Sequence, residues 1–166
     1  MSTDDATKPP YLSLLNAIAI AERNAGCYLR TWADTTPDQE LRRALSLVAA
    51  REATHGEVFR QRIERLGFSL LDNDDPKLAE RLRIYGDPAL TDTEKIGAFR
   101  RSPAEEAGVD AFFASLDERV ADESVDALTR DTLRWYVHEE RDSRQLLRAA
   151  YTRVEAGGHG GAEPRA

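Results

Sequence analysis

The 166-residue chain predicts an all-α fold, a four-helix bundle of two antiparallel hairpins joined by a long crossover between the second and third helices. Three observations predict it. Apolar residues recur at steps of three and four through four long segments, the period of an amphipathic helix. Ala, Leu, Arg and Glu are plentiful while Val and Ile are scarce, a balance that favours helix over sheet. Residues 68–101, between the second and third segments, are too many for a tight turn between antiparallel neighbours.

Each element follows from its own signals. Residues 1–10, MSTDDATKPP, read as a disordered arm. The first helix runs from about Tyr11 to Ala33, after the Pro9–Pro10 pair. In the turn TTPDQE, Thr36 is expected to cap, Pro37 to take the first helical position and Gln39 to complete a capping box. The second helix then reaches Leu66, with Gly67 as its stop. The crossover holds two short helical pieces, 77–84 and 92–100, separated by Gly86-Asp87-Pro88. Ser102-Pro103-Ala104-Glu105 is again a cap, a first-turn proline and a capping-box glutamate. It opens a third helix that runs to about Ala121. The fourth extends from about Val125 to Val154, so the bundle domain spans 11–155 and the glycine-rich 156–166 reads as a flexible tail, its His159 solvent-exposed and inert.

Composition narrows the function. A formal charge of −7 argues against nucleic-acid binding, which needs a positive field, and suits a carboxylate-rich cation site. The single cysteine, Cys27, excludes an intramolecular disulfide and any four-cysteine metal site, and is expected to be packed. No apolar run approaches a membrane span and the start lacks the pattern of a signal peptide. The expectation is a cytoplasmic protein with no membrane partner.

The polar residues on the apolar stripes carry the functional signal. On the second helix the stripe runs Leu41, Leu45, Val48, then Glu52 and His55, then Phe59, Ile63 and Leu66. A buried ionised glutamate is costly unless it is paired or binds a metal. Glu22 interrupts the stripe of the first helix in the same way. Counted from the turn near residue 35, Glu22 and Glu52 lie within about 6 Å of one level at 1.5 Å per residue. On the fourth helix Glu140 sits in the stripe Leu133, Tyr136/Val137, Ser143/Arg144, Leu147. A competing face through Trp135, Glu139 and Asp142 leaves Glu139 open as the inward residue. Counted from a turn near residue 123, Glu106 on the third helix matches Glu140 in height. Glu22, Glu52, His55, Glu106 and Glu140 thus converge on one core layer, a donor set suited to iron, manganese or zinc. Glu-x-x-His presents both groups from one side of a helix.

Glu22 together with Glu52-Ala53-Thr54-His55, over roughly 11–154, resembles the ferritin-like superfamily, nearest its rubrerythrin and bacterioferritin di-iron carboxylate proteins. The resemblance implies one or two iron or manganese ions held by Glu22, Glu52, His55 and Glu140, with Glu106 as a further carboxylate, and oxidation chemistry with oxygen or peroxide. It also implies a homo-dimer or larger homo-oligomer. The chain departs from the family at its second motif: Glu140-Arg141-Asp142-Ser143 has serine where a histidine is expected. Water, Asp142 or a single-metal site would answer that loss. The rubredoxin domain that supplies electrons in rubrerythrins is also missing. The rival expectation is a metal-free, degenerate scaffold or interaction module with a buried Glu–His–Arg network.

Overall fold

The computed structural model describes residues 8–72 and 75–157, so residues 1–7 of the predicted arm and 158–166 of the predicted tail, with His159, lie outside the described residues. All regular structure among the described residues is helical. There are four long helices, α1 (Leu12–Thr35), α2 (Gln39–Arg65), α5 (Pro103–Ala121) and α6 (Ala127–Gly157). Two short ones, α3 (Pro76–Gly86) and α4 (Asp92–Phe99), lie in the crossover. No helix among the described residues is long and apolar enough to cross a membrane.

Local chemistry sets the ends. Ser102 and Glu105 form the expected capping box, and Gly67 stops α2 with φ of +86°, a left-handed conformation that glycine adopts without penalty. The start of α2 corrects the expectation. Asp38 caps it by accepting from the Leu41 N–H at 2.8 Å, and Gln39 is the first helical residue. The hydroxyl of Thr36 is engaged elsewhere, donating to Asp92 at 2.6 Å. At its other end the chain stays helical to Gly157, past the predicted stop at Val154. Cys27, expected to be packed, is exposed.

Helices α1 and α2 run antiparallel at close approach. A Cβ on Gly26 would stand 3.1 Å from both the Ala49 carbonyl oxygen and the Ala53 nitrogen. One on Gly56 would stand 3.0 Å from the Arg23 nitrogen. Arg153–Asp38, Arg51–Asp142 and Arg62–Asp126 ion pairs, in that order along the axis, fix α6 antiparallel to α2. Tyr11 donating to Asp126, and Tyr136 to Glu22, set α6 parallel to α1. α5 returns along α6 through Arg141–Asp117 and Arg148–Glu106. The crossover is tied to the end of α1: Trp32 donates to Asp92 at 2.8 Å and stacks on Tyr85, while buried Lys95 donates to Thr35 and to the Tyr85 carbonyl.

The apolar core forms two clusters. One gathers Leu15 and Ile18 of α1, Phe59 and Ile63 of α2, Phe113 and Leu116 of α5, and Leu133 and Val137 of α6. The other gathers Leu29 and Trp32, Leu41, Leu45 and Val48, and Tyr85 and Ile96 of the crossover, with Leu147 and Tyr151 against it. Along α1, α2 and α6 the residues between the clusters are Glu22, Glu52, His55 and Glu140. α5 buries only Phe113 and Leu116, so its first half leaves that middle layer open on one side.

Candidate metal centre

Glu22, Glu52, His55 and Glu140 each offer a ligand atom, and the four atoms all lie within 4.8 Å of one another. Three helices supply them. Glu22 and Glu52 face each other because Gly26 and Gly56 let the α1 and α2 backbones approach on either side of the pair. His55 is fully buried, and its ring is fixed edge-on by Trp135 and Tyr136, with centroids 4.9 and 5.2 Å away.

The two ring nitrogens of His55 face different groups. Nδ1 lies 3.4 Å from Glu22 Oε2 and 3.4 Å from Glu140 Oε1, inside the cluster. Nε2 lies 3.2 Å from Glu139 Oε2, outside it. The choice between Glu139 and Glu140 thus resolves into two positions: Glu140 belongs to the cluster, and Glu139 holds the far side of the imidazole. A carboxylate on the second nitrogen of a ligand histidine fixes tautomer and orientation and raises its basicity. Tyr136 donates to Glu22 Oε1 at 2.8 Å.

The cluster's protonation reflects three carboxyl groups crowded around one imidazole. Burial pushes the Glu52 carboxyl up to about 12, reinforced by its hydrogen bond to Glu22 and the neighbouring Glu22 and Glu140. Glu22 moves the other way. Burial opposes its ionisation, but the hydrogen bonds from His55, Glu52 and Tyr136 outweigh burial and lower it. His55 is raised to about 9, because contacts with Glu140 and Glu22 overcome the burial that disfavours its charge. At neutral pH, then, Glu52 keeps its proton beside an ionised Glu22 and a cationic His55. Glu140 Oε1 is buried, and its near neighbour is His55 Nδ1 at 3.4 Å, a long contact outside good hydrogen-bond geometry.

Glu106 is the correction. It does not join the cluster but sits among guanidiniums, with Arg144 at 3.1 Å, Arg148 at 3.3 Å and Arg101 at 3.8 Å. The height match with Glu140 assumed a turn near residue 123. The α5–α6 turn in fact runs to Asp126, which shifts the level opposite Glu106 from Glu140 toward Asp142, and the long side chains of Arg144 and Arg148, one and two turns beyond Glu140, reach back to hold it. Asp142 is also outside the cluster, paired with Arg51 at 2.6 Å. The same Arg51 donates to the buried Ser143 hydroxyl at 3.2 Å, so a guanidinium reaches the position where a second ligand histidine was expected.

Three features escaped the sequence reading: Glu139 as the support for His55, Tyr136 as the donor to Glu22, and Arg51 at Ser143. Tyr136 was visible as the residue one turn before Glu140 on its stripe, where a hydroxyl could reach a buried carboxylate. Arg51 carried no periodic signal that singled it out. In comparisons with known proteins, no family model, no curated protein and no solved structure matches the chain.

Proposed function

We propose that this is a ferritin-like, non-haem metal protein that binds one iron or manganese ion between its two apolar clusters. The ligands are Glu22, Glu52, Glu140 and His55 through Nδ1. The observation that carries the proposal is the convergence of four ligand atoms, from Glu22, Glu52, His55 and Glu140, within 4.8 Å of one another. A buried layer of this kind costs folding free energy unless a cation is there to use it.

One ion fits better than two. Ligands on opposite sides of a single ion with bonds of about 2.1 Å are separated by about 4.2 Å, so a small contraction of the 4.8 Å cluster suffices. A second ion would need the histidine that Ser143 replaces and the carboxylate that Glu106 commits to arginines. Bound iron or manganese supplies an accessible one-electron couple for oxygen or peroxide. Around it Glu139 orients the imidazole, Tyr136 holds Glu22 in place, and the apolar clusters exclude bulk water above and below.

The test is metal content by elemental mass spectrometry after anaerobic Fe(II) or Mn(II) loading and desalting, beside Glu52→Ala/His55→Ala. About one ion per chain, lost in the double variant, supports the proposal. Two ions would restore the di-metal form. None in a folded wild type would leave a metal-free scaffold whose Glu–His–Arg network only sets the packing of the helices.

A further inference from the structure

Two clefts reach the carboxylate layer, and their walls differ. One, of about 640 Å³, passes between α1 and the crossover and is polar with both signs of charge on its walls, Asp75, Glu80 and Glu105 beside Lys77, Arg81, Arg100 and Arg101, and Glu22, Glu52 and Glu140 at its end. The other, of about 400 Å³, opens beside the first half of α5 and also ends on Glu52 and Glu140. Its walls are apolar: Leu29, Val48, Ile96 and Leu147, with the rings of Tyr28 and Tyr151. A metal ion has no use for such walls, and the volume is that of a small-molecule site.

The rim of the apolar cleft is cationic in a chain of net charge −7. Arg100, Arg101, Arg144 and Arg148 all border it. Three of these guanidiniums share the one carboxylate of Glu106, and Arg100 pairs with Glu155. Arg144 also touches Asp110, at 3.5 Å, away from the cleft lining. Against two rim carboxylates the four arginines leave positive charge over, and Arg148 keeps 70% of its side chain exposed. Guanidinium is the group best shaped to take a carboxylate in two parallel hydrogen bonds.

We infer that the cleft binds a medium-chain monocarboxylic acid, its carboxylate at the Arg101/Arg148 rim and its alkyl chain running inward, so that the chain terminus lies against Glu52 and Glu140. The order of chemistry along the cleft sets the orientation: charge outside, apolar walls in the middle, the metal layer at the floor. The inference rests on the proposed metal centre for what stands at that floor, whereas the rim and walls stand without it.

Decanoate is the probe, titrated by calorimetry into the full chain, once stripped with chelator and once loaded with Mn(II). Expected is one molecule per chain in both forms, bound at least tenfold more tightly than decanol. Arg101→Ala/Arg148→Ala should abolish that preference while leaving metal content and helical circular dichroism unchanged. Leu147→Trp, which fills the cleft, should weaken acid and alcohol alike. In the Mn(II) form the paramagnetic ion should broaden the proton signal of the terminal methyl more than that of the methylene next to the carboxylate. Absence of decanoate binding, equal affinity for decanol, or broadening greatest at the carboxylate end would each overturn the inference. Failure of the metal proposal reads differently: decanoate would bind the stripped protein with its preference intact while the chain takes up no Mn(II).

Discussion

Glu52→Gln in the metal-free protein separates the cost of the polar layer from its use. Glutamine keeps the size and neutrality of the protonated carboxyl but has no proton to acquire. The wild-type Glu52 has an ordinary value of 4.5 and is pushed up to about 12 by burial and by Glu22 and Glu140, so at pH 7 the folded chain holds a proton that the unfolded chain has released. The folded state binds more protons, hence stability falls as pH rises above 4.5, by about 1.4 kcal/mol per unit. Two and a half units bring the cost at pH 7 to about 3 kcal/mol, and that figure does not depend on how far above neutrality the folded value lies. His55 adds the same slope between its ordinary 6.5 and about 9, because its stabilising charge is fully present below 6.5 and lost through 9. Urea unfolding in chelator at half-unit steps from pH 5 to 8 measures both. Glu52→Gln should match wild type near pH 4.5, gain on it by about 1.4 kcal/mol per unit and lead by about 3 kcal/mol at pH 7. It should also fail to retain Mn(II), since a neutral amide is a poor ligand for a hard cation. A variant that is no more stable at pH 7, or whose advantage does not change with pH, would refute the assignment of the buried proton to Glu52.

Three further outcomes check other parts of the molecule. Glu139→Gln, which weakens the support behind His55 Nε2, should lower Mn(II) affinity roughly 10- to 100-fold with one ion still bound at saturation, as competition with a chromophoric chelator would show. Gly26→Ala gains about 1 kcal/mol of helix propensity, yet its methyl meets backbone atoms at 3.1 Å that cannot swing aside. The expected net effect is a destabilisation of about 1 kcal/mol by thermal melting, overpacking costing about 1–3 kcal/mol. Asp126 is held well below the usual carboxylate range: burial opposes its ionisation, but Thr129, Tyr11 and Arg62 outweigh burial. Its contribution is therefore present above about pH 4 and lost as pH falls below that. Asp126→Asn should melt lower than wild type at pH 7, with the gap narrower in melts at pH 3.

The helices were legible because each was written locally. Three- and four-residue apolar steps, the Ser102 box and Gly67 need no knowledge of what packs against them. Glu22, Glu52 and His55 were legible for the same reason, as polar groups on stripes that should be apolar, joined by a short turn that fixes their relative height. Glu106 was misplaced because its position depends on the length of the α5–α6 turn. Moving the turn's midpoint by one residue moves the matched level by two, about half a helical turn, and nothing in the local pattern announces the arginines that then take the carboxylate. Glu139 was posed as an alternative to Glu140 because adjacent residues on a helix normally face different ways. The imidazole between them lets both be used, one at each ring nitrogen. The cap at Asp38 rather than Thr36 reflects a tertiary competitor, Asp92, arriving from the crossover.

The separation of the core into two clusters explains how the chain tolerates its polar middle. Leu15, Phe59, Ile63, Leu116 and Leu133 below the layer, and Trp32, Leu41, Leu45 and Val48 above it, are all at most 1% exposed. The burial that stabilises the bundle is therefore complete on either side without help from the residues between. Each fully buried large side chain contributes on the order of 2 kcal/mol, so the layer's cost of about 3 kcal/mol at pH 7 is a minor debit against nine of them. The same arrangement limits what the layer can hold. Helices clamped above and below by close packing can contract slightly around one ion. Placing two would require them to part where Gly26 and Gly56 bring α1 and α2 into backbone contact. The glycines, the arginine at Ser143 and the withdrawal of Glu106 thus act in one direction, toward a small polar layer, suited to the single cation proposed, with an open cleft beside it.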